Sequence, residues 1–246
     1  MHRYQILIEY VGTNFIGWQI QSKGPSIQKF VQIKISKLLK EKINLVGSGR
    51  TDSGVHAIEQ SAHFDCKKKI QNLDKFLQSI NYFLNIKLVS IISIKRKSLN
   101  FHARFSAKQR VYTYIIFNRT SGPSIEKNRG WHIKKKLDLK LMKKGTKKLL
   151  GTNDFSTFRS SSCNAKSPIR TIKSIKIKKV KNKIQIQFKS QSFLQQQVRS
   201  MVGCLKYLAE KKWNLKQFEI VFKSKKRTLC APPAPAHGLF LEKVIY

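Results

Sequence analysis

INLVGSGRTDSGVHAIEQSAHFDC, residues 43–66, reads as a strand, a glycine-rich loop and a second strand. INLVGS (43–48) is predicted to be a strand running into the loop. Beyond the loop, Ala62, Phe64 and Cys66 alternate, which predicts a strand with those residues inward and Ser61, His63 and Asp65 outward. The loop between them, GRTDSGVHA (49–57), carries Arg50 and Asp52 two positions apart. Gly49 and Gly54 admit backbone conformations and close approaches that other residues obstruct. In a chain with 50 Lys and Arg but 12 Asp and Glu, a lone loop carboxylate is rarely present for solubility. An arginine at contact distance lowers a carboxyl pKa, and a positioned, ionised carboxylate is a nucleophile or a base. The same residues also suit an Asp-Ser-Gly turn in which Asp52 caps a backbone amide.

Working outward, Tyr4, Ile6, Ile8 and Tyr10 share one face of an extended segment that leads to GTNFIGW. Ser26 is a plausible N-cap, and Ile27, Phe30, Val31, Ile35 and Leu38 recur at helical spacing. Asn72 caps a second predicted helix with Phe76, Leu77, Ile80, Phe83 and Leu84 on one stripe, and LVSIISI (88–94) is a further strand. The second half repeats the rhythm. RVYTYIIF (110–117) is a strand with Tyr112, Tyr114 and Ile116 on one face. A helix around 138–150 precedes strands near 170–179 and 184–190. A helix from about 192 to 210 buries Leu194, Val198, Met201, Val202, Leu205 and Leu208, and leaves Arg199 at the edge of that stripe. One more helix and the strand LFLEKVIY (239–246) close the chain. Several consecutive strands are joined by short turns, so the fold class is α+β with a mainly antiparallel sheet in each half. The boundary falls where FHARFSAK crosses over, which divides the chain into domains 1–104 and 105–246.

A net charge of +38 is most easily tolerated beside a polyanion, and nucleic acid is the natural partner. An Ile-, Asn- and Lys-rich composition also fits a general lysine bias, and the basic runs at 67–69 and 134–136 also read as solvated faces. Cysteines 66, 163, 204 and 230 show neither CxxC spacing nor nearby histidine pairs, which argues against a zinc site or a disulfide framework. No apolar run approaches the ~20 residues of a membrane span, and RYQILIEY reads as a strand rather than a signal segment. A cytoplasmic protein is expected.

GRTDSGVHA closely resembles the catalytic loop of the TruA-type tRNA pseudouridine synthases. YVGTNFIGWQIQ (10–21), FHARFSAKQRVYTYII (101–116), GTNDFSTFR (151–159), FLQQQVRSMVG (193–203) and APAHGLFLEKVIY (234–246) resemble further motifs of that family, in the same order. The resemblance implies two ferredoxin-like halves whose sheets join around a central basic cleft. It implies an isomerase without cofactor or metal that acts as a homodimer on tRNA, at about nucleotides 38–40 of the anticodon stem-loop. By the same resemblance Asp52 is the nucleophile, and Arg199 pairs with it, with Arg50 beside it in the loop. Tyr112 stacks on the target base and is a candidate general base, and Leu239 lines the uridine pocket. The chain departs from the family pattern at Val11, Asn153, Gln196 and Gln197, which touches tRNA positioning more than chemistry. Competing readings are a non-catalytic tRNA-binding protein of the same fold and a synthase acting at another RNA site. A metal-dependent phosphohydrolase lacks a second acidic cluster to hold Mg²⁺.

Overall fold

The computed structural model describes residues 1–246. The chain forms two compact units, Met1–Lys108 with Phe240–Tyr246, and Gln109–Leu239. In the first unit, β1 (His2–Tyr10) is followed by α1 (Ile27–Leu39), β2 (Val46–Gly47), β3 (His56–Cys66), α2 (Leu73–Leu84) and β4 (Val89–Lys97). Strand β1 lies between β3 and β4 and pairs antiparallel with both. Tyr4, Ile6, Ile8, Ala62 and Phe64 form the buried face, with Phe76 of α2 stacked at 6.4 Å from Phe64. Both helices start where their caps predict. The Ser26 side chain accepts the Lys29 amide and that of Asn72 accepts the Lys75 amide.

Two expectations for residues 43–66 are corrected. The first strand shrinks to Val46–Gly47, because the backbone before it is already satisfied by α1. Leu45 N–H donates to Gln32 Oε1 at 3.0 Å, its carbonyl accepts from Gln28 Nε2 at 2.7 Å, and Ile43 N–H donates to Ser36 Oγ at 3.1 Å. Second, Ser61 and His63 do not face solvent; they are 0% and 4% exposed. The helix-free face of the sheet is covered by the segment that follows β4 and by the C-terminal residue. Ala103 N–H donates to His63 Nδ1 at 3.1 Å. The Tyr246 hydroxyl lies 2.7 Å from Ser61 Oγ and 2.8 Å from the Ala103 carbonyl. Polar residues on that face are buried because they are hydrogen-bonded. Asp65 keeps partial exposure and pairs with Arg3 at 2.7 Å.

The second unit contains β5 (Gln109–Asn118), β6 (Trp131–Ile133), α3 (Leu139–Lys147), β7 (Gly151–Asp154), β8 (Ile169–Val180), β9 (Lys183–Ser190), α4 (Gln197–Ala209) and α5 (Leu215–Lys223). Strand β5 pairs antiparallel with β9, β9 with β8, and β8 with β7, while β6 runs parallel to β5. Tyr112, Tyr114 and Ile116 stand opposite Phe188, Ile186 and Ile184, and all six are buried. The predicted stripe of α4 is buried throughout, with Ser200, Gly203 and Cys204 buried beside it. The helix begins at Gln197, not near 192, because Gln196 takes a left-handed φ of 61°. Gln197 Oε1 also accepts the Leu194 amide at 2.8 Å and stabilises the preceding turn. Strands β6 and β7 are three and four residues long, too short to show a period in sequence.

The last strand, β10 (Leu239–Ile245), corrects the expectation that residues 105–246 form one half. Phe240 and Leu241 pair parallel with His56 and Ala57, and Lys108 N–H donates to the Ile245 carbonyl at 2.8 Å. Residues from Phe240 onward therefore complete the first unit.

Candidate active site

Asp52 is the one carboxylate between Glu41 and Glu59, and its loop is held mainly through main-chain groups. Trp18 N–H donates to the Thr51 carbonyl at 3.1 Å, and Gly54 N–H to the Phe15 carbonyl at 3.4 Å. Within the loop, Val55 N–H donates to the Asp52 carbonyl at 3.1 Å. Side chains reinforce these points. The Thr51 and Tyr10 hydroxyls lie 2.8 Å apart, Ser53 Oγ donates to the Phe15 carbonyl at 3.2 Å, and Gln60 Nε2 to the Gly49 carbonyl at 2.9 Å. Gly12 N–H donates to His56 Nδ1 at 3.1 Å. The GTNFIGW segment and the GRTDSGVHA loop thus lock together, with Asp52 half-buried between Thr51 and Val55. The close approach needs Gly17, which has φ +104°; a Cβ there would sit 2.5 Å from the Thr51 carbonyl oxygen. Arg50 is exposed, and its Nε donates to Gln19 Oε1 at 3.1 Å.

In the second unit Arg199 and Tyr114 meet the segment 234–239, which ends in Leu239. Arg199, in the first turn of α4, donates from Nε to the Ala234 carbonyl at 2.8 Å, and Ala234 N–H donates back to the Arg199 carbonyl at 3.0 Å. The Tyr114 hydroxyl donates to the Pro235 carbonyl at 2.8 Å, and burial pushes its pKa up. Burial lowers the pKa of His237, and the Arg199 charge lowers it further. Leu239 is buried at the end of this segment. Tyr112 lies two residues before Tyr114 on the same face of β5, 8% exposed, with its ring edge-on to Phe193 at 5.3 Å. Tyr112, Arg199 and Leu239 therefore belong to the second unit, whereas Asp52 and Arg50 belong to the first.

Sequence reasoning missed the supporting residues Gln60 and Ala234, and named Tyr114 only as sharing a strand face with Tyr112. Gln60 is legible only as a polar residue inside an apolar alternation, and Ala234 acts through its backbone, which side-chain identity does not report. The four departures from the family pattern are tied into local backbone. Val11 N–H donates to the Leu88 carbonyl at 3.0 Å, and Asn153 Nδ2 to the Leu150 carbonyl at 2.9 Å. Gln196 and Gln197 form the turn that opens α4. No group of three or more His, Cys, Asp or Glu side chains is placed to hold a metal ion. No helix is long and apolar enough to cross a membrane.

The carboxylate loop of the first unit is thus pinned by glycine-dependent contacts, and the second unit carries the tyrosine strand and the tethered arginine. A family profile described as tRNA pseudouridine synthase matches residues 6–106 and 146–246, and the chain belongs to that family, in its TruA-type branch. The protein named tRNA pseudouridine synthase A of Pelagibacter ubique (strain HTCC1062) is 76% identical over 246 residues, covering 100% of both chains. The protein of the same name from Maricaulis maris (strain MCS10) is 40% identical, covering 100% of this chain and 98% of its own. Among solved structures, a Cbf5-Nop10-Gar1 complex matches with TM-score 0.34 and 10% identity over 83% of this chain and 53% of that one. A likeness of that size defines no shared fold.

Proposed function

We propose that this chain, an isomerase of the pseudouridine synthase family, converts uridine to pseudouridine at about nucleotides 38–40 of the tRNA anticodon stem-loop, with Asp52 as nucleophile. The reaction breaks the N1–C1′ bond and forms a C5–C1′ bond; a proton leaves C5 and N1 ends protonated. Atoms and electrons balance within the nucleotide, so the isomerisation consumes no oxidant, reductant or energy source. A uridine within a stem must first be flipped out, which costs a few kcal/mol. Stacking on Tyr112 returns roughly 1–3 kcal/mol of that cost.

In this reading Arg199 and Arg50 supply positive charge toward Asp52 and the RNA backbone, Leu239 is an apolar wall for the base, and Tyr112, as its phenolate, takes the C5 proton. The observation that carries it is the mounting of Asp52. Pinned backbone at Thr51 and Val55 gives that carboxylate little freedom to lose when substrate arrives. The basic composition supports RNA binding through phosphate contacts, which makes the complex salt-sensitive. The family resemblance supports a cytoplasmic homodimer with two ferredoxin-like halves around a basic cleft.

The test is to incubate unmodified tRNA with wild-type protein and with Asp52→Asn, then map pseudouridine by nucleotide. Product confined to the anticodon stem-loop with wild type, and a loss of at least about a thousandfold with Asp52→Asn, is expected. Binding of tRNA by the variant should persist. Product at another site would refute the substrate assignment, and full activity of Asp52→Asn would refute the mechanism.

A further inference from the structure

On the helix-free face of the first unit, residues 98–106 form a turn that the chemistry at Asp52 does not use. The turn is braced at nearly every position. Phe101 N–H donates to the Ser98 carbonyl at 3.1 Å, Ser106 N–H to the His102 carbonyl at 2.9 Å, and His102 N–H to Ser106 Oγ at 3.0 Å. Nδ1 of His102 accepts the amides of Arg104 and Phe105 at 3.2 and 3.3 Å. Beneath, Ala103 is anchored to His63 and Tyr246 and is 0% exposed. Two residues later Phe105 stands 77% exposed.

A Phe ring left in water forgoes its burial, so a rigid turn that presents one calls for an occupant. The immediate frame of this ring is basic and polar. The His102 ring lies 4.4 Å away and tilted by 32°, and the Arg104 guanidinium carbon lies 5.5 Å from the ring centre. Lys97 flanks the same turn, over the Phe101 ring at 5.3 Å, while Arg3, which meets the Phe101 carbonyl at 2.7 Å, is already paired with Asp65. Protein partners bury clusters of apolar anchors and disfavour lysine around them. An exposed ring beside Arg104, in a turn whose other exposed apolar residue is Leu99, matches a stacked nucleobase, with phosphates for the neighbouring charges.

Distance separates this base from the target uridine. His63 lies seven residues along β3 from His56, roughly 23 Å from the end of the Asp52 loop at ~3.3 Å per residue. A uridine at Asp52 does not reach Phe105, so the ring takes a different nucleotide of the same RNA. Resting on the tRNA reading above, we propose that Phe105, with Arg104 beside it, is a stacking anchor for an unpaired base of tRNA outside the target stem-loop. It contributes to binding and register, not to bond-making.

The experiment measures Kd for a full-length tRNA transcript and for the anticodon stem-loop alone, with wild type, Phe105→Ala, Phe105→Leu and Phe105→Trp. Binding is read independently of turnover, so a protein that binds tRNA through Phe105 yet makes no product would count against the functional reading and not against the anchor. Phe105→Ala should weaken full-length tRNA about tenfold, Phe105→Leu nearly as much, and Phe105→Trp little. The stem-loop Kd and the kcat on full-length tRNA should stay unchanged, as should the melting temperature, because the ring is exposed. An unchanged Kd for full-length tRNA, equal weakening of both RNAs, or a Leu variant that binds like wild type would overturn the proposal. So would a shift of Phe105→Ala from dimer to monomer in sedimentation, which would assign the ring to a second copy of the chain.

Discussion

The loop around Asp52 and the start of α4 around Arg199 each mount a charged side chain, but by different means. Asp52 is mounted on irregular backbone, held by main-chain hydrogen bonds between two loops at distances that admit no Cβ at Gly17. Arg199 is mounted on a helix buried on most of its circumference, and its guanidinium is aimed by the Ala234 carbonyl. The first mounting depends on which residues lack side chains. The second depends on apolar packing and on the carbonyl of a residue 35 positions away. Damage to the loop should therefore displace the carboxylate along with stability, whereas damage at Arg199 should leave the helix standing and change only the aim.

The largest separation between the two regions is expected from Gly17→Ala. Its positive φ and the clash with the Thr51 carbonyl should lower stability by about 2–4 kcal/mol. Chemical denaturation would measure this, and pseudouridine formation should fall in parallel. A variant as stable and active as wild type would show that the two loops are not rigidly coupled. Next comes Arg199→Lys, which retains the charge and loses the Nε donor to Ala234. Product formation should fall about 10–100-fold, with unfolding midpoint and tRNA binding close to wild type. Unaltered turnover would mean that charge alone, not its direction, is what this position supplies.

The smallest effect is a pH slope in the first unit. Burial, aided by the Arg3 charge, lowers the His63 pKa from 6.5 to about 4. Between those values the unfolded chain binds a proton that the folded chain refuses, so the contribution is complete above about pH 6.5 and is lost as pH falls toward 4. His63→Asn keeps an acceptor for the Ala103 amide but does not titrate. Denaturant unfolding at several pH values should show a shallower loss of stability in that variant across this window. Parallel profiles would place the titration elsewhere.

Much of the fold was legible because helices and strands advertise themselves by period. The α1 and α2 caps, the paired tyrosines of β5 and the buried stripe of α4 all appear as read. Misreadings occurred where a side chain or a distant segment answered a local demand. Gln28 and Gln32 satisfied the backbone of residue 45, which shortened β2. The 98–106 turn and Tyr246 covered Ser61 and His63, which alternation alone assigned to solvent. Family motifs carried Asp52, Tyr112, Arg199 and Leu239 in the sequence, but not the carbonyls of Ala234 and Pro235 that position two side chains around them.

By itself the sequence determined the α+β class, most elements and the family, because apolar periodicity, capping residues and the GRTDSGVHA motif are local properties of the chain. Tertiary structure alone decided that the final strand completes the first unit, that polar residues of β3 are buried, and that GTNFIGW clamps the Asp52 loop. Those outcomes depend on hydrogen bonds between residues far apart in the chain. A backbone group has no residue-specific signature, so its partner is settled only when the whole chain packs.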